Sequence, residues 1–246
     1  MRLAGKTAIV TGGSRGIGRG IVLAFAREGA DVAINYRRDE AAARETAQQV
    51  RALGRRAEVY QADVADWGAV ASMFAAAGND FGGFDVVVAN SGVASRPASV
   101  ADMDPAYWRQ VLGVDLDGVF HTCKAGVPLL KPRGSVLVVS SIGADLCAPY
   151  GAPYYVAKAG ANALVKVLAK ELAPERKRVN CIAPGMVASD MGDRLVKALG
   201  EGVVGTIPLG RIGQPEDIGA AAVFLVSDDA SFITGKILRI DGGVFM

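Results

Sequence analysis

Three groups of residues in this chain have the types and spacing of a proton-transfer site. Tyr154 and Lys158 lie four residues apart, and Ser141 precedes Tyr154 by thirteen residues. Residues at i and i+4 share one helix face, so the ammonium group would lie beside the phenol and favour its ionised form. A glycine-rich turn, TGGSRGIG at 11–18, stands near the start of the chain. Together these residues predict a phenol that exchanges a proton beside a bound dinucleotide.

The glycine-rich turn has the residue types that bind a pyrophosphate. Gly12, Gly16 and Gly18 permit a tight turn, close backbone approach to the anion, and close packing of helix on sheet. The N-terminus of the following helix would offer N–H groups to the same anion. No Gly-Lys-Ser/Thr follows, so the turn is not a P-loop. The other residues expected at the cofactor here are Ser14, Arg15 and Ile17.

Composition and charge exclude several classes of protein. The 246 residues, 51% of them hydrophobic, can form one α/β domain or two small ones. The net charge of +2 is too small to indicate binding to nucleic acid or to an anionic membrane. No apolar run reaches the roughly 18 residues that span a bilayer, and no signal-peptide pattern is visible. We therefore expect a cytoplasmic protein without nucleic-acid or membrane partners.

The cysteines do not indicate a metal site or a disulfide framework. Cys123, Cys147 and Cys181 are odd in number, widely spaced and outside any Cys-x-x-Cys pair. We interpret all three as small buried hydrophobic residues, and we predict no bound metal.

Short β-rich apolar runs alternate with longer helical patterns, which is typical of βαβ units and a parallel sheet. The predicted strands are Lys6–Thr11, Asp31–Tyr36, Ala57–Gln61, Asp85–Ala89, Ser135–Ser140, Arg178–Ile182 and Ile237–Ile240. The predicted helices are Ile17–Glu28, Glu40–Leu53, Trp67–Ala77, Pro105–Leu130, Ala157–Ala173 and Glu216–Ser227. No linker divides the chain. We expect a single doubly wound α/β domain of the Rossmann type over residues 1–246, with a seven-stranded parallel sheet flanked by helices on both faces.

The segment Pro184–Pro215 is the longest stretch without a clear strand. It predicts an extended loop with one short helix at Asp190–Leu199, and long loops of this kind often form active-site lids. We therefore predict a substrate lid at 184–215. The apolar residues that could line a substrate pocket are Met186, Val187, Met191, Leu195, Val196, Leu146, Cys147 and Tyr150.

The glycine spacing, Gly-x-x-x-Gly-x-Gly, resembles the opening motif of the short-chain dehydrogenase/reductase family. The resemblance extends over nearly the whole chain. The segment 89–92 (ANSG) stands where the family has Asn-Asn-Ala-Gly, and Pro184-Gly185 matches its Pro-Gly after the sixth strand. The segment 241–243 (DGG) matches its C-terminal motif. Within the family, the chain looks most like the 3-oxoacyl-[acyl-carrier-protein] reductases.

The resemblance implies a role for each of the three central residues. Tyr154 would donate a proton to a carbonyl oxygen as hydride arrives from a nicotinamide, and would act as the base in the reverse direction. Lys158 would hold the nicotinamide ribose, and Ser141 would hydrogen-bond the substrate oxygen. The family motifs place the following residues at the cofactor: Asn90, Gly92, Tyr154, Lys158, Pro184, Gly185, Val187 and Ser189.

The end of the second strand indicates which cofactor is used. An acidic residue there would bind the adenosine ribose and repel a 2′-phosphate. Here Tyr36 is followed by Arg37 and Arg38, whose guanidinium groups suit a phosphate, and Arg15 could close on the same group. We predict that NADP(H) is preferred over NAD(H). The acids that follow, Asp39 and Glu40, are explained by helix capping.

Two residues after the third strand are also expected at the cofactor. Asp63 and Val64 stand where the family has an aspartate that contacts adenine. A capping or turn aspartate is an equally good interpretation of Asp63.

One position departs from the family pattern. The family usually has asparagine within Val-Asn-Leu-x-Gly, where it is thought to hold a water of a proton relay. This chain reads VDLDG at 114–118, so Asp115 takes that place and is a further candidate catalytic residue. A carboxylate can accept from the water and pair with Lys158, but cannot donate, and its charge would weaken the effect of Lys158 on Tyr154. We expect activity with an altered pH profile.

Three neighbouring residues are excluded from the chemistry. Tyr155 is rotated by about 100° from Tyr154 on a helix, and Ser140 should face away from Ser141 on a strand. His121 is the only histidine, and no Gly-x-Ser-x-Gly elbow accompanies it, so a hydrolase is not indicated and helix packing is expected.

Three functions remain open at this point. The first is an NADPH-dependent carbonyl reductase for a small-molecule substrate such as a 3-oxoacyl thioester or a cyclic ketone. The second is an NAD(P)-linked alcohol or sugar dehydrogenase, and the third is a cofactor-binding regulatory protein.

Family members are commonly homotetramers, which we expect here. The basic residues that could meet an acidic carrier protein, or form a solvated rim, are Lys131, Arg133, Arg176, Lys177 and Arg178.

Overall fold

The centre of the fold is a parallel β-sheet. The computed structural model describes residues 1–189, 192 and 201–245. The strands in this part of the chain are β1 (Thr7–Val10), β2 (Asp31–Tyr36), β3 (Ala57–Gln61), β4 (Phe84–Ala89), β5 (Leu130–Val139), β6 (Arg178–Pro184) and β7 (Ile237–Ile240). They form a seven-stranded sheet in the order β3-β2-β1-β4-β5-β6-β7. Every pairing is parallel, which confirms the predicted doubly wound α/β fold.

Helices cover both faces of the sheet. They are α1 (Gly16–Arg27), α2 (Glu40–Ala52), α3 (Trp67–Phe81), α4 (Pro105–Leu112), α5 (Gly118–Gly126), α6 (Gly143–Leu146), α7 (Ala152–Leu172) and α8 (Pro215–Val226). One apolar layer includes Phe25 of α1 and Ile218 of α8, and the other includes Phe74 of α3 and Val165 of α7. Because both faces are covered, strands such as β1 and β4 are apolar apart from Thr7 and Asp85 near their starts, rather than alternating.

The predicted long helix Pro105–Leu130 is wrong as a single element. The structure has α4, then a π-helical turn at Gly113–Asp117, then α5 and a 3-10 turn at Val127–Leu129. A π turn holds an extra residue relative to an α-helix, and such turns are frequent at functional sites. This one carries Asp115, whose side chain is fully buried.

Two further predictions of local structure need correction. Helix α7 begins at Ala152 rather than Ala157, with a proline in its first turn, so Tyr154 already belongs to the helix. Cys123 and Cys181 are buried as predicted, but Cys147 is exposed and ends α6 with a φ of 46°. The short helix predicted at Asp190–Leu199 lies outside the described residues, except for Gly192.

None of the described helices has both the length and the apolar character that crossing a membrane would require.

Arg178 at the start of β6 is a structural residue rather than part of a solvated rim. It is 9% exposed. Its guanidinium donates to the carbonyl oxygens of Leu225 at 2.6 Å, Ser227 at 3.0 Å and Ile233 at 3.4 Å. Arg178 therefore ties the end of α8 and the segment before β7 to the sheet, and it is not available to meet a carrier protein.

Replacing Arg178 with methionine should destabilise the protein. Arg178→Met leaves buried carbonyl oxygens without donors, so we expect the free energy of unfolding to fall by about 2–4 kcal/mol. Urea denaturation measures this value. The control is Arg176→Met, the same change at an exposed residue two positions earlier, which should stay within about 0.5 kcal/mol of the wild type. Equal effects of the two variants would contradict the assignment.

Candidate active site

A cleft of about 560 Å³ opens at the carboxyl ends of the central strands, between the glycine-rich turn and α7. This is the edge at which doubly wound sheets bind their ligands. The structure brings most of the predicted site residues into its lining: Gly12, Ser14, Arg15, Gly16, Ile17, Gly18, Tyr36, Arg37, Arg38, Asp63, Val64, Asn90, Gly92, Tyr154, Lys158 and Ser189. Residues that sequence reasoning did not place there also line it: Asn35, Asp39, Ala62, Ser91, Val93, Ala94, Val114, Val139 and Ser140.

Three residues expected at the cofactor are described by the structure but are not part of this lining. Pro184 ends β6, and its carbonyl oxygen accepts from Ile142 N at 3.0 Å. The N–H of Gly185 donates to the carbonyl of Ile240 at 2.9 Å. Val187 is buried and forms a β-bridge with Gly213. In this structure they anchor the segment that leads to Ser189, which does line the cleft.

The glycine-rich turn has the shape that a pyrophosphate requires. Gly12 and Gly16 have φ angles of 63° and 54°, which side-chain-bearing residues rarely adopt. A Cβ on Gly18 would lie 2.1 Å from the carbonyl oxygen of Gly12, so the helix packs closely on the turn. The N-cap of α1 is Arg15, which makes no side-chain capping bond to the first-turn N–H groups. These residues fit a dinucleotide phosphate.

Buried and half-buried polar side chains hold this turn in place. Asn35 accepts from Gly12 N at 3.1 Å, and its amide donates to the carbonyl of Ala62 at 3.1 Å. The side-chain amide of Asn90 donates to the carbonyl of Thr11 at 2.8 Å, and its backbone N–H donates to Thr11 Oγ1 at 3.0 Å. Asn35 was missed by sequence reasoning, although a lone amide in an apolar strand is itself a signal, because a buried polar group needs partners.

The far end of the cleft carries the two adjacent arginines. Arg37 pairs with Asp63 at 3.4 Å, and both side chains are more than a third exposed. Asp63 also accepts from the N–H of Ala65 at 3.1 Å, as a turn aspartate does. Asp39 caps α2 by accepting from Ala42 N, as expected from its position. Among the described residues, no carboxylate pairs with Arg38, which is exposed at the cleft.

Tyr154 and Lys158 lie together in the first two turns of α7. The Nζ of Lys158 is 5.5 Å from the centre of the Tyr154 ring, and Lys158 is 4% exposed. Tyr155 is directed elsewhere. Its ring packs where a Cβ on Gly143 or Gly151 would be, and burial raises the pKa of its phenol.

Lys158 forms a buried ion pair with Asp115. The Nζ lies 3.1 Å from Asp115 Oδ1, and the two side chains are 5% and 0% exposed. The backbone N–H of Val93 donates to the same carboxylate at 3.1 Å, and Lys158 also donates to the carbonyl of Val139 at 3.4 Å. A Cβ on Gly92 would lie 2.6 Å from Asp115 Oδ1, so only glycine leaves room for the pair.

The pair shifts the acidity of both groups. Burial by itself lowers the pKa of Lys158 and is the largest single effect, but the neighbouring Asp115 carboxylate and Tyr154 together outweigh it, so the pKa of Lys158 is raised. Burial raises the pKa of Asp115, against the opposing effects of Lys158 and the Val93 N–H. Lys158 therefore stays protonated, and its charge is shared with a carboxylate.

The two serines after β5 have different partners. Ser140 is buried, and its hydroxyl donates to the carbonyl oxygen of Lys158 at 3.2 Å. The Oγ of Ser141 accepts from Gly143 N at 3.0 Å, which leaves its O–H to be donated. Ser141 is described but is not among the residues that line the cleft, whereas Ser140 is.

Comparison with known proteins identifies the family. The family model described as enoyl-(acyl carrier protein) reductase matches residues 12–245. A 3-oxoacyl-[acyl-carrier-protein] reductase FabG of Staphylococcus aureus is 39% identical over 243 residues, with 98% of each chain covered. The chain belongs to the short-chain dehydrogenase/reductase family. It is therefore an NAD(P)-dependent oxidoreductase that acts on the CH–OH or C=O group of a small molecule.

Other members of the short-chain dehydrogenase/reductase family are about as similar. The 3beta-hydroxysteroid dehydrogenase 1 of Eggerthella lenta is 39% identical over 251 residues, with 98% of this chain and 94% of the relative covered. The crystal structure of a protein described as a short-chain alcohol dehydrogenase from Sinorhizobium meliloti matches with a TM-score of 0.91 and 35% identity. It covers 98% of this chain and 97% of that one.

Removing the charge of Asp115 should move the pH dependence of the reaction. Asp115→Asn leaves the charge of Lys158 uncompensated beside Tyr154, which favours the ionised phenol. We expect the rising limb of the kcat/KM profile for alcohol oxidation to move to lower pH by about one unit. Asp117→Asn removes an exposed charge on the same π turn and should leave the profile in place. An unchanged profile in Asp115→Asn would contradict a role in proton transfer.

Proposed function

We propose that this protein is an NADPH-dependent carbonyl reductase in which Tyr154 donates the proton. The observation that carries the proposal is the buried Lys158, held by Asp115 beside the Tyr154 ring at the edge of a dinucleotide-shaped cleft. A buried ammonium beside a phenol stabilises the phenolate that remains after proton donation. A cofactor-binding regulatory protein would have no need for this costly arrangement.

The residues of the chain divide the work of carbonyl reduction. A bound NADPH would supply the hydride. Ser141 donates its O–H to the substrate oxygen, an orientation favoured by the bond that its Oγ accepts from Gly143. Tyr154 gives its proton to the same oxygen as negative charge develops there. Lys158 compensates the charge left on the phenol, and Asp115 keeps the lysine side chain in place.

A 3-oxoacyl thioester is the substrate class that we favour. The support is the 39% identity to the 3-oxoacyl-[acyl-carrier-protein] reductase of Staphylococcus aureus over nearly the full length of both chains. The second candidate is an alcohol dehydrogenase that works in the oxidative direction, for which the equally identical hydroxysteroid dehydrogenase of Eggerthella lenta is the supporting observation. A panel of oxoacyl thioesters, cyclic ketones and secondary alcohols, followed by NADPH absorbance, separates the two.

We further propose that the enzyme acts in the cytoplasm as a homotetramer. Apolar side chains on the outer faces of α5 and α7 support the assembly, because Phe120, Val156 and Val167 are about half exposed. Phe232 near the C-terminal strand is fully exposed. Light scattering should give the mass of four chains, and the mass of one chain would contradict the assembly.

Replacing Tyr154 with phenylalanine should abolish turnover without loss of cofactor binding. Tyr154→Phe removes only the hydroxyl, so we expect kcat to fall by at least about a hundredfold, while the Kd for NADPH changes little. Tyr155→Phe makes the same change one residue away and should keep most of the activity, since Tyr155 packs against α6. Substantial turnover by Tyr154→Phe would refute Tyr154 as the proton donor.

The two adjacent arginines should determine the choice between NADPH and NADH. The wild type should have the higher kcat/KM with NADPH. Arg38→Ala and Arg37→Ala should each reduce the NADPH/NADH ratio of kcat/KM on the order of tenfold, because each removes a charged partner of the 2′-phosphate. Arg44→Ala, an exposed arginine paired with Glu40 on α2, is the control. A wild type that prefers NADH would overturn this part of the proposal.

A further inference from the structure

An aromatic cluster lies on the surface formed by α3 and α5. It consists of Trp67, Phe120, His121 and Lys124. The His121 ring is 5.7 Å from the Trp67 ring and 5.9 Å from the Phe120 ring, measured between centroids. The Nζ of Lys124 lies 4.6 Å from the centre of the Trp67 ring. These contacts fix the position of the imidazole, but they do not involve residues that line the cleft.

His121 also makes one contact that leads to the cleft. Its Nδ1 lies 2.9 Å from the carbonyl oxygen of Val64. A carbonyl oxygen can only accept, so Nδ1 must carry a proton and act as the donor. The Nδ1–H is present both in that neutral tautomer and in the imidazolium, so protonation of the other ring nitrogen leaves the bond in place. His121 is thus more than the helix-packing residue expected from the sequence.

Helix α5 holds Val64 at two points. His121 binds its carbonyl oxygen, and a Cβ on Gly118 would lie 2.7 Å from its side-chain Cγ2. Gly118 and His121 are three residues apart and therefore share a helix face. Val64 belongs to the segment between β3 and α3, of which Ala62, Asp63 and Val64 line the cleft. This wall of the cleft is therefore positioned from behind by α5.

The held segment lies at the adenosine end of the cleft. Asp63 is 3.4 Å from Arg37, one of the two arginines that we assign to the 2′-phosphate. Tyr154 and Lys158 belong to α7, which borders the opposite end of the cleft. Movement of Val64 would thus disturb binding of the adenosine half of the cofactor and leave the proton-transfer residues in place.

We infer that His121 is a positioning residue for the cofactor: its hydrogen bond to Val64 sets the wall against which the adenosine half binds. The inference rests on the proposed use of NADPH. The side chain that retains the donor is asparagine, whose amide nitrogen occupies the place of Nδ1. Leucine keeps the packing within the aromatic cluster but has no donor. The two substitutions therefore separate the hydrogen bond from the packing.

Calorimetric titration with adenosine 2′,5′-bisphosphate and with NADPH tests the inference. His121→Leu should weaken both ligands about fivefold to tenfold, the effect of one hydrogen bond on a binding constant. His121→Asn should bind within about twofold of the wild type. The control Phe120→Leu removes a ring that contacts His121 but keeps the bond to Val64, and it should also bind normally. At saturating NADPH, kcat of His121→Leu should be unchanged while KM for NADPH rises.

Several results would overturn the inference. One is an unchanged ligand affinity in His121→Leu, and another is an equal loss of affinity in His121→Asn. A loss of affinity in Phe120→Leu as large as in His121→Leu would indicate that packing alone matters. A wild type that binds neither ligand would overturn the proposed function as well, whereas normal wild-type binding with an unaffected leucine variant removes only the role of His121.

A second measurement remains decisive should His121→Leu fail to fold. His121 is the only histidine of the chain, so its imidazole nitrogens give a single set of NMR signals. We expect Nδ1 to be protonated in the free wild type and its signal to shift when adenosine 2′,5′-bisphosphate is added. An unprotonated Nδ1, or a signal that does not respond to the ligand, would contradict the inference.

Discussion

The site depends on the buried ion pair between Asp115 and Lys158. Removing two charges from water costs several kcal/mol of desolvation free energy. The attraction between the charges recovers this cost only when the geometry is tight and the remaining polar atoms are hydrogen-bonded. Here the carboxylate also accepts from the Val93 N–H, and the ammonium also donates to a strand carbonyl. The π turn brings Asp115 inward, and the missing side chain of Gly92 leaves space for the contact. Loss of either charged side chain would leave the other buried without its partner.

The cofactor side of the cleft is held by neutral hydrogen bonds instead. Asn35 on β2 and Asn90 after β4 fix the backbone of the glycine-rich turn from the two sides of β1, and His121 fixes the segment after β3. A turn held in this way loses little conformational freedom when a ligand binds, so more of the interaction energy appears as affinity. The charged pair and the neutral bonds meet at Asn90 to Val93, the segment after β4. In the proposed reaction that segment connects cofactor binding with proton transfer.

Much of the fold could be predicted from the sequence, because strands and helices differ in the spacing of their apolar residues. Buried parallel strands give short continuous apolar runs, whereas helices repeat apolar residues every three to four positions. The bounds of β2, β3 and β7 were predicted correctly, and of these three β2 is the strand that is buried along most of its length. The break between α4 and α5 was not predicted, since a π turn gives no recognisable signal in a helical sequence pattern. Motifs predicted Tyr154, Lys158 and the glycine turn, which line the cleft, whereas the contacts of Arg178, Asn35 and His121 join residues far apart in sequence. Such pairings become visible only in the folded chain.

In the proposed reaction, hydride passes to a carbonyl carbon while Tyr154 supplies the proton. The most direct measurement follows the hydride itself, with NADPH deuterated at C4 of the nicotinamide, each C4 epimer in turn, and a ketone that the protein reduces. We expect one epimer to place deuterium on the carbinol carbon of the alcohol in the wild type, and we expect Tyr154→Phe to form no such product. NADPH consumption without a deuterated alcohol from either epimer would contradict the proposed reaction.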